Sequence, residues 1–333
     1  MHMADALLSP AVGGAMWVAS AATLAVCARK VSARSDDRLV PLMGVLGAFV
    51  FAAQMINFAI PGTGSSGHLG GGLLLAILLG PWAAFLVIAS VLTVQAFFFA
   101  DGGLLALGAN IFNLGVFPCF LAYPFIYKPL AGRNPSDRRL ALAAGVAAVV
   151  GLQLGALGVV AQTVASGLTS LPFETFAALM LPIHLAIGLV EGAVTAALVI
   201  FLRRARPDLV NRAAPQAAKS RVVTGLAVSA VLLAGLLSWF ASPRPDGLEW
   251  SIAKAAGTAE LKAPEGGVHD QFAALQARIA PLPDYDLPRA RPAEEGETAW
   301  PEVNAGKSFA GLVGALATLA LVVAAGFLLR RRR

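Results

Sequence analysis

Charged residues are scarce in this chain: Asp, Glu, Lys and Arg together make up 13% of its 333 residues. Soluble globular domains contain roughly a quarter charged residues, so an ordinary soluble domain is excluded. Cysteine is also nearly absent, and the only two cysteines, Cys27 and Cys119, both lie within apolar segments. We therefore expect no disulfide framework and interpret both thiols as small buried apolar side chains.

Hydrophobic residues dominate instead, at 57% of the chain, with a mean hydropathy of +0.73. A membrane-spanning helix needs about 20 apolar residues, whereas the alternating pattern of a membrane β-barrel is missing. The sequence predicts an all-α polytopic membrane protein with about nine transmembrane helices. The nine apolar segments cover residues 10–28, 39–60, 69–80, 82–100, 104–127, 140–165, 176–202, 222–241 and 309–329.

Basic residues are concentrated in four groups that hold 18 of the 25 Lys and Arg residues. These groups lie at residues 29–38, 128–139, 203–221 and 330–333. Such clusters mark cytoplasmic loops, which predicts an N-terminus outside and a cytoplasmic C-terminus. Anionic lipid of the bilayer accounts for the basic pI, so we expect no nucleic-acid partner.

The third apolar segment is too short for a straight membrane span, and a glycine-rich stretch, PGTGSSGHLGGG at residues 61–72, precedes it. Irregular backbone at membrane depth is tolerated only where protein or a water-filled cavity surrounds it. We expect this stretch to fold back into the protein, and an exposed flexible loop is the alternative.

A polar linker at residues 206–221 separates the chain into two parts. The second part, residues 222–333, is predicted to be a two-helix membrane hairpin around a polar extracytoplasmic region at residues 242–308. We call residues 242–308 the connecting region. It carries eleven acidic and seven basic residues, and its PLPDYDLPRARP stretch is predicted to be extended or disordered.

The chain begins MHMADALLSP, which places a histidine at position two. The α-amine of Met1, the deprotonated backbone nitrogen of His2 and the His2 imidazole can form a fused, nearly planar chelate. An imidazole from His68, in the glycine-rich stretch, would complete a square of four nitrogens, a geometry that favours Ni²⁺ or Cu²⁺. No basic segment precedes the first apolar run, so we expect no cleavage that would remove His2.

Other polar residues at membrane depth are candidates to support this site, because such groups are costly there. Ser65 and Ser66 could orient a metal-bound imidazole, and His184 and Glu191 lie on nearly one helix face. For Glu191 a structural hydrogen-bonding role is favoured over metal ligation. Asp5 is expected to fix the start of the chain, and His269 is expected to be solvated.

A second interpretation of the same residues is enzymatic. The sequence GSSG at residues 64–67 and a distant histidine invite a rhomboid-like intramembrane serine protease with a Ser66/His184 dyad. That hypothesis leaves Met1 and His2 unexplained, so we expect a protein that is not an enzyme and has no catalytic residue.

Four stretches together resemble the NikM/CbiM family, the substrate-binding membrane subunits of energy-coupling-factor nickel and cobalt transporters. The stretches are MHMADALLSP, FVFAAQMINFAIPGTGSSGHLGGGLLLAILLGP, VQAFFFADGGLLALGANIFNLG and PIHLAIGLVEGAVTAAL. The resemblance implies a metal held by Met1, His2 and His68. It also implies ATP-driven uptake of Ni²⁺, or next Co²⁺, across the bacterial cytoplasmic (inner) membrane with a coupling subunit and ATPase subunits.

The resemblance divides the chain into a metal-binding domain at residues 1–205 and a NikN/CbiN-like part at residues 222–333, where SPRPDGLEW is similar to the PDGLE-type variant. Asp101 stands where many relatives have a histidine before a Gly-Gly pair, and we include it among the residues that could support the metal. The metal is transported cargo, and no resident cofactor is expected. A stand-alone metal permease remains an alternative.

Overall fold

The computed structural model describes residues 2–33, 39–205, 217–258, 261, 263, 267–288 and 300–331. The fold is helical, with one two-stranded antiparallel hairpin, β1 (Phe58–Ala59) and β2 (Ser66–Gly67). The helices are α1 (Pro10–Ser32), α2 (Leu39–Gln54), α3 (Gly72–Leu79), α4 (Pro81–Phe99), α5 (Leu107–Ala131), α6 (Asp137–Ser166), α7 (Phe173–Ala205), α8 (Ala217–Gly235), α9 (Gly247–Ala256), α10 (Val268–Ile279) and α11 (Ala305–Arg331).

Every predicted apolar segment overlaps a helix, and the chain is a multi-pass membrane protein. Within the described ranges six helices are long and apolar enough to cross a bilayer, namely α1, α4, α5, α6, α7 and α11. The helices α2 and α8 are apolar but shorter, so the count of nine spans and the orientation of the termini stay predictions. Large apolar side chains face outward, as lipid contact requires, including Val18, Phe125, Leu189, Phe201 and Leu316.

Local sequence signals explain several helix boundaries. Ser9 caps α1, its hydroxyl accepting a hydrogen bond from the Val12 N–H, and Pro10 occupies the first helical position. Gly80 has a φ of 82° and ends α3, and Pro81 then starts α4. These signals turn the chain sharply between α3 and α4 and let α3 remain short.

The helices α6 and α7 form a close antiparallel pair because glycines lie at their contact. A Cβ added to Gly192 would come within 2.6 Å of the Gly145 Cα, and one added to Gly188 within 2.9 Å of the Val149 Cα. Small residues at a helix crossing let two backbones approach in lipid, where packing drives association. The backbones of α6 and α7 therefore lie in direct contact.

The C-terminal helices pack on the rest of the bundle through α2. Helix α11 contacts α2 and α4, and α8 contacts α2 and α11. A Cβ on Gly44 would meet the Val323 side chain at 2.7 Å, and one on Gly314 would meet Phe51 at 2.0 Å. The two parts of the chain thus share one continuous apolar core.

The glycine-rich stretch does fold back into the protein over most of its length. Residues 65–67 and 70–72 are buried, and α3 is an eight-residue helix with most of its side chains buried. The tip of the stretch is exposed at Pro61, Gly62 and Gly64. The prediction of a re-entrant segment is confirmed, and the flexible-loop alternative holds only for the tip.

Two expectations about the connecting region are wrong. For the PLPDYDLPRARP stretch the expectation fails at Pro283–Tyr285, a short 3₁₀ turn that packs against α4, whereas Asp286 is extended and residues 289–299 lie outside the described ranges. His269 is buried rather than solvated, and its Nε2 donates to the Leu8 carbonyl at 2.9 Å. Both segments contact apolar surface or carbonyl groups of the helical bundle. Composition alone does not reveal these contacts.

The glycine contact between α6 and α7 predicts an asymmetric response to alanine. Gly192→Ala should lower the stability of the protein by about 1–3 kcal/mol, because its methyl group meets backbone that cannot move aside. Gly145→Ala, on the other side of the same contact, is the matched control, since its Cβ would meet nothing within 4 Å. Thermal unfolding in detergent measures both, and equal stability of the two variants would contradict the packing.

Candidate metal centre

The start of the chain lies inside the bundle, held by a side chain of α5. The Met3 N–H donates to Asn110 Oδ1 at 2.8 Å, and Asn110 Nδ2 donates to the Met3 carbonyl at 3.2 Å. The Gly103 N–H donates to the same carbonyl at 3.0 Å, and the Met3 side chain is fully buried. The backbone directly after His2 is therefore fixed at both of its polar groups.

Asp5 continues this attachment. One of its carboxylate oxygens, Oδ1, accepts a hydrogen bond from the Ala106 N–H at 2.9 Å. A Cβ on Gly103 would lie 1.8 Å from that oxygen, so only glycine permits the contact. The expectation that Asp5 fixes the start of the chain agrees with this arrangement.

His68 is presented by the loop between β2 and α3. Gly71 has a φ of 76°, which lets the loop turn into α3, and a Cβ there would strike Val50 at 2.5 Å. His68 Nδ1 donates to the Leu69 carbonyl at 3.1 Å, which leaves Nε2 as the nitrogen with a lone pair. Burial, together with the neighbouring His2, lowers the pKa of His68 to about 3, so the imidazole is neutral and able to bind a metal.

The two predicted histidine ligands lie side by side. The ring centroids of His2 and His68 are 5.0 Å apart, and their planes differ by 27°. A metal–nitrogen bond of about 2.0 Å puts an imidazole centroid about 3 Å from the ion. The separation of the centroids is therefore within the reach of one ion, but the rings are stacked, so one ring would have to turn before both lone pairs pointed at that ion.

Asp101 contacts His2 directly. Its Oδ1 lies 2.8 Å from His2 Nδ1, and its Oδ2 accepts a hydrogen bond from the Tyr285 hydroxyl at 2.5 Å. Burial raises the pKa of Asp101, but the opposing effects of His2 and the Tyr285 hydroxyl bring it below its ordinary value. His2 Nε2 is buried with no hydrogen-bond partner among the described residues.

Glu191 anchors the glycine-rich loop. Its Oε2 accepts from the Gly70 N–H at 2.7 Å, and its Oε1 accepts from the Gly71 N–H at 3.1 Å. Gln54 completes the attachment by donating from Nε2 to the Gly70 carbonyl at 2.8 Å. This geometry favours the structural role over metal ligation, as expected for Glu191.

His184 faces the same loop from α7. Its Nδ1 donates to the Met180 carbonyl, one turn earlier, at 2.8 Å. The buried ring shares a small cavity with His68, Asp246 and Gly247. His184 therefore lies next to the candidate centre and is oriented by its own helix.

The two loop serines are engaged away from the histidine rings. Ser65 Oγ pairs with Thr63 Oγ1 at 2.8 Å, and Ser66 Oγ donates to the Arg244 carbonyl at 2.7 Å. Because both hydroxyl groups stabilise the loop and its contact with the connecting region, they do not orient the imidazoles as expected. The contacts found for Ser66 and His184 also do not include the hydrogen bond of a protease dyad.

Met1, the remaining predicted ligand, lies outside the described residues. Among those residues, the side chains of His, Cys, Asp and Glu form no cluster of three or more with metal-binding geometry. The candidate centre as described is a pair of imidazoles, one at the fixed start of the chain and one in the glycine-rich loop.

A cavity of about 710 Å³ opens next to the two histidines. The connecting region supplies much of its lining, and seven of the described charged side chains line it. Five are acidic and two are basic: Asp5, Asp101, Asp246, Glu249 and Asp284 against Arg244 and Lys307. A negative excess in a confined space raises the local concentration of cations.

The contacts of three residues at or near the centre, Asn110, Tyr285 and Asp246, were not predicted from the sequence. Asn110 was a candidate partner of His184 or Glu191 and not of the chain start, and Tyr285 lay in a stretch predicted to be extended or disordered. Asp246 caps α9 and forms a bridge with Ser66, beside His68. An amide at membrane depth is the one signal that could have identified Asn110.

The fold defines a polytopic helical membrane protein in which His2, from the start of the chain, meets His68, from an interior loop. The comparisons specify the family: residues 2–209 match the "cobalt uptake substrate-specific transmembrane region" family, called CbiM, and residues 220–331 match the PDGLE domain. The chain belongs to the CbiM family, as a fusion with a NikN-like region.

Similar proteins are transporters of nickel or cobalt. The fused nickel transport protein NikMN of Rhodobacter capsulatus is 32% identical, over 86% of this chain and 88% of its own length. The cobalt transport protein CbiM of Geobacter sulfurreducens is 33% identical, over 71% of each chain. A crystal structure of a truncated transition-metal transporter superimposes with a TM-score of 0.53 at 33% identity, covering 61% of this chain and 99% of the other.

The attachment of Met3 to Asn110 predicts the effect of its removal. Asn110→Ala should release the start of the chain and weaken Ni²⁺ binding by roughly 2 kcal/mol, or on the order of 30-fold, because two hydrogen bonds are lost. Ser20→Ala is the matched control, since Ser20 is buried and bonds only to the Gly108 carbonyl of α5. Calorimetry on purified protein measures both, and unchanged binding by Asn110→Ala would contradict the attachment.

Proposed function

We propose that this protein is the substrate-capturing subunit for ATP-driven uptake of a divalent transition metal, Ni²⁺ first and Co²⁺ next. The observation that carries the proposal is the pair of imidazoles, His2 and His68, with centroids 5.0 Å apart next to an acidic cavity. In the chelate model the amine of Met1 and the backbone nitrogen of His2 supply the other two ligands. A nearly planar set of four nitrogens would then hold the ion.

The nitrogen ligands of the model support nickel over ions that prefer oxygen ligands or tetrahedral coordination. Four nitrogen donors in a square suit Ni²⁺, whereas Zn²⁺ prefers a tetrahedron and Mg²⁺ prefers oxygen ligands. The similar fused protein of Rhodobacter capsulatus is named as a nickel transport protein, whereas the named cobalt transporter of Geobacter sulfurreducens matches over a smaller share of this chain. The fused architecture therefore also supports nickel.

The electrostatics of the cavity support capture of a cation from one side of the membrane. Among the described residues, five carboxylates line the cavity and attract divalent ions, and the two histidines would replace part of an ion's hydration water with nitrogen ligands. We propose that this side is extracytoplasmic and that the membrane is the cytoplasmic membrane. Transport would require a transmembrane coupling subunit and cytoplasmic ATPase subunits, because the chain contains no complete phosphate-binding loop.

The chelate model predicts a severe effect of one inserted residue. An alanine inserted between Met1 and His2 moves the amine out of chelating distance, so Ni²⁺ binding should fall by two orders of magnitude or more. His68→Ala should act in the same direction. Calorimetry, with Ni²⁺ competed against Co²⁺ on the unmodified protein, measures affinity and metal preference.

The control for this test is an alanine inserted in the linker at residues 206–221, which leaves the candidate centre unchanged. Thermal unfolding and gel filtration of each variant establish that the fold is retained. Normal Ni²⁺ binding by the Met1–His2 insertion variant would refute the chelate model. Tighter binding of Co²⁺ than Ni²⁺ by the unmodified protein would reverse the metal preference.

The requirement for partner subunits is tested in liposomes. Vesicles that contain only this protein should take up no Ni²⁺, whereas vesicles with coupling and ATPase subunits should accumulate it when ATP is supplied. Uptake by the protein alone would establish the stand-alone permease instead. Ser66→Ala should leave uptake unchanged, and a loss of proteolytic activity in that variant would support the alternative protease function.

A further inference from the structure

The connecting region reaches the candidate metal centre through one tyrosine. The Tyr285 hydroxyl donates to Asp101 Oδ2 at 2.5 Å, and the other oxygen of Asp101 lies 2.8 Å from His2 Nδ1. Three side chains from three distant parts of the sequence thus form one continuous chain of hydrogen bonds. Its last member is a residue that the proposed function assigns to the metal.

We infer that Tyr285 is a positioning residue of the metal centre: it holds Asp101 against His2, so that the connecting region completes the site. The inference rests on the proposed function, because it assumes that His2 binds the metal. It goes further by giving the PDGLE-type part of the chain a direct role in binding affinity.

The tyrosine is held firmly enough for this role. Its ring stacks on Phe99, with centroids 4.6 Å apart and planes 8° apart, and also packs against Phe51. The Leu282 N–H donates to the Phe98 carbonyl at 3.0 Å, which fixes the turn to the end of α4. These contacts fix the position of the Tyr285 hydroxyl group. The fixed hydroxyl group in turn restricts the orientation of the Asp101 carboxylate.

Two residues of the turn have left-handed backbone conformations. Asp284 and Tyr285 have φ angles of 54° and 58°, in the left-handed region that non-glycine residues rarely occupy. Such conformations cost free energy and persist where surrounding contacts impose them. The stacking of Tyr285 and its hydrogen bond to Asp101 are the contacts that impose this one.

The role of Asp101 follows from the chemistry of metal-bound histidine. A histidine that binds a metal through one ring nitrogen usually donates its other N–H to a carboxylate or carbonyl, which fixes the ring and increases its basicity. Chelation through the backbone nitrogen uses His2 Nδ1, and the remaining nitrogen, Nε2, has no partner among the described residues. In the structure Asp101 contacts the Nδ1 edge of the ring, at 2.8 Å, so a metal at Nδ1 would displace this contact and the ring would have to turn for the same carboxylate to accept from Nε2.

Two further contacts of the connecting region surround this chain of hydrogen bonds. Gln276 Nε2 donates to the carbonyls of Ala96 and Gly102, at 2.9 and 2.8 Å, which lie on either side of Asp101 in the sequence. His269 donates to the Leu8 carbonyl and so holds the segment that leads from His2 into α1. The connecting region therefore forms hydrogen bonds to both of the segments that carry His2 and Asp101.

The test separates the hydroxyl group of Tyr285 from its ring. Tyr285→Phe keeps the stacking on Phe99 and removes the hydroxyl group with its hydrogen bonds to Asp101 and Gln95, and it should weaken Ni²⁺ binding roughly 10-fold, at the lower end of the range for residues behind a metal ligand. Asp101→Asn should weaken binding by at least as much. Tyr123→Phe is the matched control, because it removes a hydroxyl from α5 more than ten residues beyond Asn110, and its affinity should be unchanged.

The double variant Tyr285→Phe/Asp101→Asn shows whether the tyrosine acts through the aspartate. We expect the double variant to bind Ni²⁺ no more weakly than Asp101→Asn alone, because the two residues act in series. Additive losses, or unchanged or tighter binding by Tyr285→Phe, would overturn the inference.

A spectroscopic readout distinguishes positioning from general stability. With Cu²⁺ as the probe, the electron paramagnetic resonance hyperfine splitting should shift in Tyr285→Phe and not in Tyr123→Phe, while both variants unfold at the same temperature as the unmodified protein. An unshifted spectrum with a lowered unfolding temperature would mean a purely structural tyrosine and would overturn the inference. Failure of the unmodified protein to bind Ni²⁺ would refute the proposed function instead, which keeps the two failures distinct.

Discussion

The candidate metal centre depends on the attachment of the chain's first residues to the inside of the bundle. The backbone N–H and carbonyl of Met3 would be costly to bury unpaired, and the single side chain of Asn110 satisfies both. That pair of hydrogen bonds acts together with the buried side chains of Met3 and Leu8 to keep the start of the chain inside the bundle. His2 is thereby brought against a loop from a different part of the sequence, and two imidazoles meet.

The loop that carries His68 is subject to the same constraint, namely that buried backbone polar groups need hydrogen-bond partners. The loop that carries His68 runs through the interior as irregular backbone, so its N–H groups need partners that neither lipid nor helix supplies. Glu191 accepts from two consecutive amides and Gln54 bonds to the carbonyl between them. Glu191 is a polar residue at membrane depth and a candidate ligand by its position in the sequence. Its hydrogen bonds to the loop explain why it is there.

The two family regions of the chain meet at this centre. The CbiM-type part supplies the histidines, and the connecting region of the PDGLE-type part supplies much of the cavity lining, including Tyr285, Arg244 and Glu249. Fusion of the two parts keeps these surfaces at a high effective concentration, because docking becomes intramolecular. The contacts from Gln276 and His269 show that docking involves the segments on which the histidine and the aspartate depend.

The sequence by itself determined the helical membrane class, the nine apolar segments and the re-entrant character of the glycine-rich stretch, because hydrophobicity, length and glycine content are local properties. It also singled out His2 and His68, since the chemistry of an N-terminal chelate can be read from residue order. Only the tertiary structure decided that Asn110 holds Met3, that Tyr285 reaches Asp101 and that His269 is buried. Those pairings join residues from about one hundred to more than two hundred and fifty positions apart, and they form through packing of surfaces that no local pattern encodes.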